Sequence, residues 1–514
     1  MMKYVSWILL LAIMLVWPGC SHSEKAKLSH PNIIYILADD LGYGDVSALN
    51  ERAAWETPNI DHLAEEGMVF TDAHSGSAVC TPTRYGILTG RYAWRSSLKQ
   101  GVTWSWDDAI IEPDRVTVGS FLKAHGYKTA CVGKWHLGLG WQRMTEDPDS
   151  IDFGQPVLRG PTTLGFDYFF GIAASLDIPP YVYIENDHVT ALPDRMTISQ
   201  TKYGWWRLGH TGSDFEHEQV LPVLTRKAIG FIDNHLETNA DQPFFLYFPL
   251  PAPHTPILPL PEFEGRTGTN PYGDFVVQVD WTVGQILQTL TRHGLNENTL
   301  VIFTSDNGCS PQADYEVLAE FGHNPSYTFR GHKADIYEGG HRIPFLAKWP
   351  AVIEKQRITD ETICLTDMLA TVADMLQTPL PDHAGVDSYS ILPVFRGAAL
   401  NHPVREATVH HSVNGFYAIR QGKWKLILCP GSGGWSYPTP VQASELDLPA
   451  FQLYNLYEDI GETKNLVYDH PDVVDSLKRM MKRYIINGRS TPGPMQKNTP
   501  SENWPGLDWM TTIQ

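Results

Sequence analysis

Two pairs of oxygen-bearing residues stand at the ends of apolar runs: Asp39 and Asp40 after NIIYILA, and Asp306 and Asn307 after TLVIFTS. Short runs rich in Ile, Val, Leu and Phe that stop abruptly at acidic or turn residues read as buried parallel strands, and ligands of α/β sheets gather at such strand ends. Three carboxylates and an amide, with no His or Cys among them, suit a hard cation, Ca2+ or Mg2+, better than zinc. Taken alone, each pair is also an ordinary way to begin a turn.

Other segments carry the cations and proton carriers that chemistry on an anionic ester requires. GYKTACVGKWHLG holds Lys134 and His136 at i, i+2, on one face of an extended chain. His254 lies in PLPAPHTP, directly after FFLYF, and Lys333 lies in FRGHKADIYEGGHRIP. Singly, these are what packed histidines and surface lysines look like. The densest pattern is SAVCTPTRYGILTGRYAWR, where Cys80, Pro82 and Arg84 form C-x-P-x-R and run on into Leu88, Thr89, Gly90 and Arg91.

That extended segment resembles the signature of the type I, formylglycine-dependent sulfatases of the alkaline phosphatase superfamily, and leans toward the arylsulfatase and N-acetylgalactosamine-6-sulfatase-like members. The similarity runs from about Asn32 to Leu466 and includes GETKNL, which resembles the family's closing helix-entry motif. The resemblance implies an α/β fold, an alkaline-phosphatase-like sandwich with a large mixed central sheet flanked by helices, plus a small C-terminal antiparallel sheet-and-helix domain. It implies that Cys80 is oxidised to formylglycine (3-oxoalanine) by a formylglycine-generating enzyme or an anaerobic maturase. One Ca2+ per chain, in preference to Mg2+, is then held by Asp39, Asp40, Asp306, Asn307 and residue 80.

On this resemblance one hydroxyl of the hydrated aldehyde attacks sulfur to give a sulfo-enzyme. Arg84 and Lys134 stabilise the diol, and Lys333 compensates sulfate charge. His254 protonates the leaving oxygen, while His136 takes the proton of the second hydroxyl so that sulfate is expelled. The implied activity is removal of O-sulfate from a sulfated polysaccharide or oligosaccharide, with 6-sulfated galactose or N-acetylgalactosamine as the sugar. One alternative is a phosphate or phosphonate ester hydrolase of the same superfamily; the two-metal phosphatases need further His and Asp ligands that do not pair convincingly here. The other is a non-catalytic protein that binds sulfated glycan, which should have lost part of the set Cys80, Arg84, Lys134, His136, His254 and Lys333.

The elements that must position these residues alternate between strand-like and helix-like patterns, which calls for a sheet covered on both faces. TPNIDHLAEEGMVF reads as a helix with Thr57 as N-cap and Pro58 in the first turn. Trp141 to Val220, rich in Gly, Pro, Trp and Asp, reads as long loops over the site that carry specificity. Beyond Gly397, YAIRQGKWKLILC and FQLYNLY read as short strands and Val473 to Tyr484 as a helix, with an irregular tail after Gly488. The expected organisation is a signal peptide over 1–20, a catalytic domain over 28–397 and a small domain over 398–514.

Hydrophobic residues at 42% and charged residues at 19% describe an ordinary globular chain. The formal charge of -19 argues against nucleic acid as a partner, so an anionic substrate needs a locally basic pocket. MMKYVSWILLLAIMLVWPGC has one Lys, an apolar core and small or turn-forming residues, the pattern of a signal peptide. Cys20 resembles a lipobox cysteine, so export ends either in ordinary secretion or in membrane attachment through lipidated Cys20; the protein is expected in the periplasm, on the outer membrane or outside the cell. Cys131, Cys309, Cys364 and Cys429 lack zinc-ligand spacing and read as buried small hydrophobes, with a disulfide among them permitted.

Overall fold

The computed structural model describes residues 30–500, 504 and 506–512. The signal-peptide reading of residues 1–20, Cys20 included, lies outside the described residues. A ten-stranded mixed sheet organises the chain, in the spatial order Arg357–Thr359, Met68–Phe70, Phe345–Lys348, Thr299–Ser305, Asn32–Ala38, Phe244–Pro249, Lys128–Lys134, Tyr168–Ile172, Ile184–Glu185 and His188–Val189. The strands from Thr299–Ser305 through Tyr168–Ile172 run parallel to one another.

Alternation along these strands feeds two cores. Ile33, Tyr35 and Leu37 join a core closed by the helices Cys80–Thr89, Val118–Ala124 and Met368–Met375. Ile34, Ile36 and Ala38 join a second, closed by Pro58–Glu65, Val220–Asn239 and Pro271–Arg292. Burial on both faces is why these strands read as unbroken apolar runs.

Register sets up the site. Ala38 pairs with Ser305 and Leu37 with Pro249, so the segments beginning at Asp39, Leu250 and Asp306 leave the sheet side by side. Lys134 ends the next strand but one, where a Cβ at Gly133 would lie 1.9 Å from the Pro249 carbonyl oxygen and one at Gly171 1.8 Å from that of Gly133. Only glycine permits this approach of neighbouring backbones.

Toward the C-terminus the strands Thr408–His411, Tyr417–Gln421, Trp424–Ile427 and Gln452–Asn455 form an antiparallel sheet. The helix Pro471–Asn487 packs on it through Val474, Leu477 and Met481, in a core that also takes in Tyr92 and Trp94. This small sheet-and-helix unit and the large mixed sheet match the fold class expected from the sequence.

Several local expectations are corrected. The stretch from Trp141 to Val220 is not loop throughout: it contains the Tyr168–Ile172 strand and a hairpin of Pro193–Ser199 with Trp206–Gly212. The hairpin is hidden in the sequence because Met196 and Ile198 occupy its exposed positions, so apolar residues do not mark a buried face. Thr57 is the N-cap residue of the Pro58–Glu65 helix with Pro58 in its first turn, as expected, but its hydroxyl donates to Asp61 at 2.8 Å and makes no bond to the helix backbone. GETKNL does not enter a helix; Glu462 accepts from the Glu338 backbone N–H at 2.7 Å and pairs with Lys425 at 2.8 Å, well before the helix starts at Pro471. Cys131, Cys309, Cys364 and Cys429 are buried and free, with no disulfide among the described residues.

Candidate active site

The Asp39–Asp40 turn is fixed from several directions. Asp40 has left-handed backbone (φ 64) and donates its N–H to Asp306 Oδ1 at 3.2 Å. Gly42 N–H is accepted by Asp45 at 2.7 Å, and the Tyr272 hydroxyl reaches both Asp45 and, at 3.3 Å, the Asp40 carbonyl. Tyr272 is held in turn by the first turn of its helix, where Asn270 caps the N–H groups of Tyr272 and Gly273.

Three buried carboxylates meet three buried cations here. Arg84 donates from Nε and Nη2 to Asp306 Oδ2 at 3.0 and 2.7 Å and from Nη1 to the Lys134 carbonyl at 2.9 Å, so its guanidinium is engaged with a carboxylate. Lys134 pairs with Asp39 at 2.6 Å and Lys333 with Asp40 at 2.7 Å. Burial alone would raise the Asp39 carboxyl, but Lys134, His254, Arg84 and Lys333 together hold it well below the usual range. Asp306 moves the other way, pushed up to about 7 by burial and by Asp39.

Cys80 opens the Cys80–Thr89 helix, every residue of which is buried. A helix N-terminus at this point favours negative charge. His136, at a left-handed residue (φ 55), lies with Nδ1 3.3 Å from the Cys80 sulfur and donates Nε2–H to the Thr103 carbonyl at 2.9 Å. Burial, with Lys134 and Arg84 nearby, depresses its pKa well below the ordinary histidine value. On the opposite flank His254 donates Nδ1–H to the Thr255 carbonyl at 2.6 Å and turns Nε2 to Asp40 at 3.5 Å.

All the sequence-derived candidates therefore converge: Asp39, Asp40, Asp306 and Asn307 at the strand ends, and Cys80, Arg84, Lys134, His136, His254 and Lys333 around them. The donor set fits a hard cation. Asp39 Oδ1 and Asn307 Oδ1 are buried acceptors with no hydrogen-bond partner, and an orphaned buried acceptor beside carboxylates asks for a metal or a donor. Sequence reasoning missed the supports: Asp45, Tyr272 and Thr103. Asp45 sits in the same DDLGYGD run as Asp39 and could have been noticed as a third acid; Thr103 accepts the His136 ring N–H through its backbone carbonyl and donates its hydroxyl to the His136 carbonyl at 3.3 Å, a pairing across distant segments that sequence spacing does not show.

This fold and this constellation define an ester hydrolase of the alkaline-phosphatase type, and the chain belongs to the sulfatase family, whose sequence pattern matches residues 31–378. It is 35% identical to an N-acetylgalactosamine-6-O-sulfatase of Bacteroides thetaiotaomicron over 94% of this chain and 99% of that one. It is 31% identical to human arylsulfatase A, covering 91% of this chain and 90% of that protein. A solved Bacteroides thetaiotaomicron sulfatase, from a locus for metabolism of multiple glycosaminoglycans, superposes with a TM-score of 0.77 at 34% identity, covering 88% and 98% of the two chains.

Proposed function

We propose that this sulfatase removes O-sulfate groups from a sulfated carbohydrate, with 6-sulfated galactose or N-acetylgalactosamine as its sugar, using formylglycine made from Cys80 and one Ca2+ held by Asp39, Asp40, Asp306, Asn307 and residue 80. The observation that carries the reading is the matched set of three carboxylates and three cations beside Cys80, with the His136 lone pair turned to its sulfur. The sugar is suggested by the N-acetylgalactosamine-6-O-sulfatase relative. When bound, the cation compensates charge on the sulfate oxygens and acidifies the attacking hydroxyl, and the hydrated aldehyde supplies that hydroxyl.

The Cys80 sulfur stands in for the aldehyde's oxygens. His136 is neutral near pH 7 because burial depresses its pKa, so Nδ1 is free to accept a proton from the group at position 80. The bond from Nε2–H to Thr103 fixes that tautomer. His254, whose Nε2 faces Asp40 at 3.5 Å, is the candidate proton donor to the departing oxygen; with Nδ1–H given to Thr255 it must be charged for that step, against the burial that lowers its pKa. Lys134 would bring positive charge to the group at position 80 and Lys333 to the sulfate oxygens, while Arg84 holds Asp306. Maturation by a formylglycine-generating enzyme or anaerobic maturase is suggested by the C-x-P-x-R segment at Cys80, and export to the periplasm, the outer membrane through Cys20 or the exterior by the N-terminal segment.

The test is release of inorganic sulfate from a panel of monosaccharides sulfated at single positions, using protein co-produced with a maturase and supplied with Ca2+. Release from 6-sulfated galactose or N-acetylgalactosamine ahead of other positions is expected. Preference for another position, or for phosphate esters, would contradict the proposal.

A further inference from the structure

A cavity of about 490 Å3 is lined among others by Trp106, Phe153, Met196, Leu208, His210 and Asp149, and by no residue of the reaction centre itself. Its volume lies in the range of small-ligand sites. It is joined to the centre by the two segments that hold His136. In the first, Thr103 accepts the His136 Nε2–H, Trp104 follows, and Trp104 and Trp106 stack with centroids 5.1 Å apart and planes 10° apart. In the second, the Ala173 carbonyl accepts the His136 backbone N–H at 2.9 Å, and the chain runs on to Pro179 in the cavity wall. Ser105 ties the two together by donating to the Ile178 carbonyl at 3.1 Å.

Three residues separate Thr103 from Trp106, so their Cα atoms lie at most about 10 Å apart. The cavity is thus within reach of the sugar next to, or one beyond, a residue whose sulfate sits at Cys80. The wall has the character a pyranose needs: the flat faces of Trp106 and Phe153, the latter edge-on to His210 at 6.0 Å, with polar groups between them. Exposed Met196 and Leu208 complete the apolar side, which explains why a hairpin would turn apolar residues outward.

Charge chooses among sugars. Asp149 lines the cavity, and two guanidiniums of the surrounding loops are already paired, Arg143 with Asp108 at 3.0 Å and Arg207 with Asp177. Among the described residues of the lining Asp149 is the one carboxylate, no Lys or Arg faces it, and His210 is the one group that could become a cation, so with His210 neutral the wall disfavours a second anion. Resting on the carbohydrate-sulfatase reading above, we infer that this cavity binds a neutral sugar of the same chain, adjacent to the sulfated one, and rejects a uronate or sulfated neighbour there.

Binding energy gained at a remote sugar appears in kcat/KM. The experiment compares sulfate release from the 6-sulfated monosaccharide, from an oligosaccharide extended by neutral hexoses, and from one extended by a uronate. About tenfold higher kcat/KM for the neutral extension than for the monosaccharide is expected, a difference of about 1.4 kcal/mol. Phe153→Ala should erase that gain while leaving monosaccharide turnover unchanged. Asp149→Lys, on an exposed loop, should raise turnover of the uronate-extended substrate. Equal rates on monosaccharide and neutral oligosaccharide, or a wild-type preference for the uronate, would overturn the inference and leave the sulfatase reading standing. Release from none of the three overturns the substrate reading on which it rests.

Discussion

The imidazole of His136 faces the sulfur of Cys80 across 3.3 Å with the one ring nitrogen that is not committed elsewhere, since Nε2 gives its hydrogen to Thr103. A base whose tautomer is fixed by a backbone carbonyl keeps its acceptor aimed whatever the neighbouring side chains do. His136→Ala is therefore expected to lower steady-state sulfate release by about 10²- to 10⁴-fold, with aldehyde formation at position 80 unchanged by mass spectrometry. Turnover within a few-fold of wild type would remove His136 from proton transfer.

Arg84 gives two hydrogen bonds to one oxygen of Asp306 and lies 3.4 Å from Asp39, all of it buried. Removing one partner of such a network costs about 3–5 kcal/mol because the remaining charge is left unpaired. Arg84→Ala should show that loss in calorimetric unfolding without added metal, and excess Ca2+ should restore part of it. A variant as stable as wild type in the absence of Ca2+ would contradict the arrangement.

The orphaned oxygens of Asp39 and Asn307 predict a measurable metal effect on the unmodified protein, independent of turnover. At a hundred-fold excess over Kd, Ca2+ should stabilise the fold by about 2.7 kcal/mol, and Mg2+ by less at equal concentration. Asp39→Asn should abolish the shift in Tm. An identical Tm with calcium and with chelator would argue against the site.

Away from the centre, His74, His341 and His410 lie with Asp72, Glu338, Arg420 and Lys425 in a fully buried cluster where the small sheet meets the large one. Burial lowers all three histidine pKa values, and His411 beside them is held down to about 4. Because the folded values are depressed below the 6.5 of a free histidine, the unfolded chain takes up protons first as pH falls. The stability they contribute is fully present above pH 6.5 and is lost on acidification, about 2 kcal/mol for His411 alone by pH 5. Asp306 and Glu462, both pushed up to about 7 by burial, work in the opposite direction over the same range, so the histidine contribution is read as a difference: Tm should fall more, or rise less, from pH 7 to pH 5 in the wild type than in His411→Gln, and identical profiles would mean that His411 is already charged or solvated in the folded protein.

The strand-end ligands were legible because burial on both faces makes central strands continuous apolar runs, and such runs end where the sheet ends. Cys80 was legible because several residues around it keep a fixed spacing along one helix. The hairpin that walls the cavity was not, since Met196 and Ile198 face outward, and neither was Thr103, whose carbonyl and hydroxyl meet His136 from a segment with no motif of its own. Gly133 and Gly171 lay in plain view, but only the contact between their backbones gives them meaning.

The most direct test of the central claim is sulfate release from 6-sulfated N-acetylgalactosamine, measured on preparations whose aldehyde content at position 80 is known from mass spectrometry. Sulfate should be released in proportion to the aldehyde fraction, with nothing from unmodified protein or Cys80→Ala. Calcium-loaded protein that carries the aldehyde yet releases no sulfate, or equal release from the unmodified thiol, would contradict the account.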